Sequence, residues 1–256
     1  QILPRFLQPL ADVPSRLIAK LNKLFVNLQT AVRLHKQNIS VVQSNNGIHL
    51  TPYHIANKRK ARLIYYFRDL QYFSYLPDQI IDRASTYFFV GKNLFEEYRK
   101  TLKIDESRCV IADSPFNVDS RLAKENGDID KKILNAKKNG RKIIICSSRI
   151  CIEKGQHVLI NAAQKTLKHY DNFHLFFIGE SSNSKRDLSY LKRIKAMVSD
   201  FGLEKHVSFL GHKNNPIHHL LHADISVQAP TYFEALAGSL VESTQLGIIT
   251  ISSDIG

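Results

Sequence analysis

The chain has 256 residues, 43% hydrophobic and 23% charged, a mix that excludes disorder, collagen and coiled coil and is long enough for two small domains. No apolar run approaches the ~18–20 residues that a membrane helix needs, and three cysteines (Cys109, Cys146, Cys151) fit neither a zinc knuckle nor a disulfide framework. Lysine and arginine outnumber aspartate and glutamate by 36 to 23, and the net charge of +13 implies an anionic partner: nucleic acid, an acidic membrane surface or a phosphorylated substrate.

The opening residues hold three prolines and an acid, so they do not read as a secretory signal; with three unpaired cysteines they point to a reduced, cytoplasmic setting. Residues 15–37 read as a long helix with Leu17, Leu21, Leu24, Phe25, Leu28 and Val32 on one face and Lys20, Lys23, Arg33 and Lys36 opposite. Such a stripe packs on a sheet by default; peripheral contact with the inner face of an anionic membrane is the other reading. Strands are expected at 39–43, 62–67, 86–90 and 108–112, with a helix at 92–102. Tyr65, Tyr66, Phe67, Tyr72, Phe73 and Tyr75 crowd one stretch, where strand burial is the plain reading for Tyr65 and Phe67. Residues 117–141 are polar and lysine-rich and read as a linker with a short helix.

From 143 onward, short apolar runs recur at 143–147, 174–178, 206–210, 224–228 and 248–252, each suited to a parallel sheet covered on both faces. Between them the clearest helix spans 187–201, with Leu188, Leu191, Ile194, Val198 and Phe201 spaced by three and four before Gly202. Strand–helix alternation of this kind predicts a doubly wound α/β sheet. The domains are therefore drawn at 1–120 and 141–256, joined by a linker at 121–140. A chain that opens on a helix and closes on a strand reads as cut at both ends. His218, His219 and His222 lie together, but no third metal ligand stands at a known spacing, so a basic helix is the plain reading. No metal site is expected.

Ligands of doubly wound sheets bind beyond the carboxyl ends of the strands. The loop after 143–147 carries Arg149, Lys154 and Gly155 just before a helix, a combination suited to a diphosphate. The loop after 224–228 enters a helix expected at 235–246. Glu234 and Glu242 are then about 12 Å apart along its axis, which suits a ligand with hydroxyl-bearing ends and an anionic middle. Taken singly, each loop reads as solvated charge.

In order along the chain stand Ser148-Arg149…Lys154-Gly155, Phe177-Ile178-Gly179-Glu180, Phe209-Leu210-Gly211, Ala223-Asp224, Glu234…Glu242, and Gly247…Ser253-Asp254-Ile255-Gly256. This succession resembles the retaining nucleotide-sugar glycosyltransferases of the group 1 or family 4 class, whose fold is GT-B: two Rossmann-like doubly wound domains. The resemblance implies transfer of a sugar from a nucleoside-diphosphate sugar to a saccharide or lipid-linked acceptor, with retention and without a metal or other cofactor. It implies that Arg149 and Lys154 hold the donor diphosphate and stabilise the leaving group, and that Glu234 holds the sugar hydroxyls. Glu242 would take the ribose; the amides of Ala237, Gly238 and Ser239 would meet the phosphates; Gly179 and His212 would line the donor site.

Two departures accompany it. Ala235-Leu236-Ala237 replaces the family's Gly-Phe-Gly, and Ser148 replaces a glycine. On the acceptor side, Arg68-Asp69 stands where the family places a histidine pair, and His49 (with His54) lies near another strand end. The family's reaction-centre glycine loop would precede Gln1 and its interdomain helix would follow Gly256. The other readings are a catalytically inactive GT-B partner subunit and a basic nucleic-acid-binding α/β protein; against the second, the cations are spread and no RNA or DNA motif appears.

Overall fold

A computed structural model describes residues 38–70, 78–112, 118 and 129–255. The helix expected at 15–37, the first part of the expected linker, and Tyr72, Phe73 and Tyr75 lie outside the described residues. The chain forms two compact units, one around each of two parallel sheets.

The first sheet runs β1 (Val41–Asn45), β2 (Arg62–Phe67), β3 (Thr86–Phe89), β4 (Cys109–Ile111) in spatial order β1-β2-β3-β4. Helices α1 (Leu50–Arg59), α2 (Asp78–Asp82) and α3 (Lys92–Thr101) lie between these strands in sequence. Alternate residues Leu63, Tyr65 and Phe67 on β2, with Tyr87 and Phe89 on β3, are wholly buried, as strand periodicity demands. Phe67 stacks on Phe89 with centroids 4.8 Å apart. Tyr65 and Tyr87 bury their rings yet keep partners, donating to the carbonyls of Ile80 and Ile81. Burial drives both phenols up, that of Tyr87 to about 12. Strand β1 starts two residues later than expected because Ser40 closes the preceding turn, its carbonyl accepting from Arg62 N; Val41 then pairs with Arg62.

The second unit holds α4 (Lys131–Lys138), β5 (Lys142–Ser147), α5 (Gln156–Leu167), β6 (Phe173–Ile178), α6 (Lys185–Asp200), β7 (Val207–Phe209), α7 (Pro216–Leu220), β8 (Ile225–Gln228), α8 (Gly238–Gln245) and β9 (Ile249–Ser252). Spatial order is β7-β6-β5-β8-β9, with every pairing parallel. One face of the sheet packs Cys146, Leu175 and Phe177 against Leu159, Ile160, Tyr190 and Ile194 of α5 and α6. The other packs Ile143, Ile145, Phe176 and Ile178 against Ile133 and Ala136 of α4 and Leu220 of α7. Each side of β5 and β6 is thus buried, which is why these strands read as continuous apolar runs.

Several boundaries in this unit differ from the sequence reading. Helix α4 falls inside the expected linker 121–140, yet its apolar face closes the core under β5, so the second unit begins well before residue 141. Helix α8 begins at Gly238 rather than 235, because the preceding segment is tied sideways to the turn after β5. Helix α6 begins at Lys185, two residues early, where the Ser184 hydroxyl accepts from Asp187 N at 3.1 Å.

Candidate functional site

The chain leaves β5 outward to β6 and β7, then returns to β8 and β9 on the other side, so strand order reverses between β5 and β8. A crevice opens at such a point, beyond the carboxyl ends of the two strands. Ser148 N donates to Ile178 O and Ile150 N to Glu180 O, fastening the turn after β5 to the loop after β6. A single 3-10 turn (Ile152–Lys154) follows, then Gly155 with φ +67°. A Cβ on Gly155 would lie 1.7 Å from Ala229 O, so only glycine lets the β8 loop come this near. Thr231 completes the join: its amide donates to Glu153 O and its hydroxyl to Ile152 O, both at 2.9 Å. Across the join, Gln228 Nε2 donates to Ser147 O at 3.2 Å.

This framework brings together two residues 80 apart in sequence. The Lys154 ammonium donates to Glu234 Oε2, with side chains only 20% and 23% exposed. Each charge has lost much of its water and is compensated mainly by the other, so removing one alone is the damaging change.

The loops after β5, β6 and β7 form a cleft of about 340 Å³ lined by Arg149, Gly179, Glu180, His212 and Lys213 among others. Gly179 is needed here as well: at φ +136° its Cβ would lie 2.0 Å from Ser148 O. Glu180 Oε1 accepts from His212 N at 3.2 Å and holds the far wall. Lys213 is tethered to Asp130 Oδ2 at 3.0 Å, and Asp130 also caps α4 by accepting from Lys132 N. Burial alone would raise the Asp130 carboxyl, but the Lys132 amide and Lys213 outweigh it and hold it below its ordinary value. A depressed carboxyl stabilises the fold above the unfolded value and ceases to do so as pH falls through the folded one. Asp130→Ala should therefore cost about 1–2 kcal/mol at neutral pH, with the gap to the unmutated chain closing on acidification; urea titrations at several pH values read this out.

Residues 128–256 match the family model described as glycosyl transferases group 1. The chain belongs to this family. An uncharacterised glycosyltransferase of Methanocaldococcus jannaschii is 23% identical over 164 residues, 64% of this chain and 37% of that protein. The capsular polysaccharide biosynthesis glycosyltransferase CapH of Staphylococcus aureus is 29% identical over 128 residues, 48% of this chain and 34% of its own length. The chain thus spans about a third of the curated relatives it matches. Anabaena HepE, solved with UDP, superposes with a TM-score of 0.71 at 14% identity over 90% of this chain and 63% of HepE. A glycosyltransferase of Rickettsia africae gives 0.72 at 20% identity over 90% of this chain and 62% of that one. The fold is GT-B, with two Rossmann-like sheets.

Of the residues singled out from the group 1 pattern, Lys154 and Glu234 meet, and Arg149, Gly179 and His212 share one cleft. Glu234 does not stand on α8, so the helical spacing expected between it and Glu242 does not hold: it precedes the helix by four residues, in the tethered loop. Glu242 is in the second turn of α8 and 6% exposed. Ala237 is the N-cap of α8, with Gly238 and Ser239 opening its first turn, where amides lack intrahelical partners. Ser243 anchors this helix by donating to Ser226 Oγ at 2.7 Å, or to Ser239 O at the same distance. In the first unit, His49 is the N-cap of α1 without a side-chain bond, and exposed Arg68 and Asp69 follow β2. Asn45 pairs with Tyr66, which puts the loop after β1 and the Arg68-Asp69 step at the same sheet edge. Asp69 Oδ1 accepts from Leu70 N at 2.8 Å. Among the described residues no cluster of three or more His, Cys, Asp or Glu can hold a metal, His218, His219 and His222 included. No helix of the described residues is long and apolar enough to cross a membrane.

Three residues of this site were not singled out from sequence: Glu180, Asp130 and Gln156. Gln156 did carry a signal, a polar residue three, four and seven positions before Leu159, Ile160 and Ala163 and so on the apolar stripe of α5.

Proposed function

We propose that this chain is the donor-holding part of a glycosyltransferase that moves a sugar from a nucleoside-diphosphate sugar to a saccharide or lipid-linked acceptor, with retention and without a divalent metal. The observation that carries the reading is the Lys154–Glu234 pair at the strand-order reversal, on the same turn after β5 as Arg149, which lines a cleft. When the bond from the anomeric carbon to the diphosphate oxygen breaks, its electron pair goes to the diphosphate. Fixed cations that meet this growing charge lower the barrier more than they stabilise the intact donor. Arg149 and Lys154 are the cations in place for that task, and the α8 amides at Gly238 and Ser239 add partial positive charge.

Glu234 and Lys154 neutralise each other. On donor binding the ammonium turns to the diphosphate and the carboxylate is released to accept hydrogen bonds from the sugar hydroxyls. Support for the donor class comes from HepE, solved with UDP and with UDP-glucose, and support for a saccharide product comes from the capsule role named for CapH. The basic surface, net +13, suits an acceptor at an anionic membrane.

Thermal shifts against UDP, GDP and ADP and their sugar conjugates test the donor reading. A rise with one base, kept in Arg68→Ala and lost in Arg149→Ala, is expected; no response to any of them overturns it.

A further inference from the structure

We propose that Gln156 is a positioning residue for the diphosphate grip, acting through Ser148 and Arg149, and that Ser148 and Gln156 form one unit; the inference rests on the donor reading above. Gln156 opens α5 and is wholly buried, an unusual place for an amide side chain. Its Nε2 donates to Arg149 O at 2.7 Å and to Ser148 Oγ at 3.0 Å. The Arg149 carbonyl fixes which end of the amide carries nitrogen, since a carbonyl needs a donor. Its Oε1 is then buried with no partner.

A leucine would fill the same space without that defect, so packing alone does not account for the residue. The two bonds it makes do. The amides of Ser148 and Ile150 are already held by Ile178 and Glu180, and Gln156 pins the carbonyl between them. The backbone that carries the Arg149 side chain is therefore bonded on three successive residues. Only the guanidinium torsions stay free, and they start from a fixed root at the edge of the cleft. The Lys154 end of the turn is set separately by the Gly155 and Thr231 contacts. The backbone roots of the two cationic side chains are thereby held in place, which is what a two-point grip on a diphosphate requires.

Ser148 explains why the device takes this form. It stands where the group 1 pattern carries glycine, and its half-buried hydroxyl, hydrogen-bonded with Cys146 Sγ at 3.6 Å, accepts a second and shorter bond from Gln156. The serine and the glutamine are matched to each other.

The test is calorimetric titration of the chain with whichever of UDP, GDP and ADP binds it most tightly, alongside urea unfolding. Gln156→Leu should weaken that nucleoside diphosphate about tenfold while changing stability little, because the orphaned oxygen goes as the Arg149 carbonyl loses its donor. Ser148→Gly placed in the Gln156→Leu background should recover part of the lost affinity by removing a hydroxyl left with Cys146 Sγ alone, whereas a packing role gives no such recovery. Equal affinity for Gln156→Leu and the unmutated chain, or lost affinity that merely follows lost stability, overturns the positioning role and leaves the donor reading standing. No binding of any of the three by the unmutated chain overturns both.

Discussion

Lys154→Ala should lower donor turnover by about two to three orders of magnitude in the longest active form of this protein, the scale seen when one preorganised charge-stabilising donor is removed from an active site. On the proposed reading the lysine meets charge that develops on the leaving diphosphate, so kcat should fall with kcat/KM instead of KM alone rising. The same change strands Glu234, a carboxylate 23% exposed that is paired with Lys154. Glu234→Gln in the Lys154→Ala background should restore much of the stability lost, because a neutral amide tolerates that site, and should restore no activity. Rates measured against donor concentration, with unfolding curves for the single and double variants, separate the two effects. Turnover within tenfold of the unmutated protein would remove Lys154 from the mechanism.

Gly155→Ala should be a severely damaging small substitution in the second unit, at about 3 kcal/mol or more. Two penalties combine there. A left-handed backbone costs alanine about 1 kcal/mol, and the added methyl would sit 1.7 Å from the Ala229 carbonyl, so the β5 and β8 loops must part. Gly202 isolates the first penalty: its φ is +64° and nothing lies within 4 Å of where its Cβ would be. Gly202→Ala should therefore lose only about 1 kcal/mol. The difference between the two in urea unfolding measures the contact, and near-equal values would contradict it. Parting the loops also separates Lys154 from Glu234, so nucleoside diphosphate affinity should fall for Gly155→Ala and stay for Gly202→Ala.

Much of the second unit was legible because its strands are buried on both faces. Runs such as Ile143-Ile144-Ile145 and Phe176-Phe177-Ile178 have no polar alternation to confuse with a helix, and glycines mark where the chain must turn. The Arg149 and Lys154 loop was legible from its place between a strand and a helix and from the ordered pattern it belongs to, since its charges taken singly read as solvated. The start of α8 was not legible. Nothing in Glu234-Ala235-Leu236-Ala237 opposes a helix locally, and alanine and leucine favour one. The segment is extended because Thr231 and Glu234 bind a turn 80 residues earlier, a tertiary effect that no local window contains. A short helix was expected in this stretch, but the lysines that dominate α4 hid its place in the core of the second unit, where it buries Ile133 and Ala136. Asp130 and Glu180 read as ordinary surface acids, and only the fold shows that they hold Lys213 and the His212 amide.

Crystals of the chain grown with its preferred nucleoside diphosphate give the most direct check on the account. The diphosphate is expected between the Arg149 guanidinium and the Lys154 ammonium, with its oxygens on the α8 amides and the Lys154–Glu234 pair opened. A nucleotide bound away from the β5–β8 crevice, with that pair intact, would contradict the account.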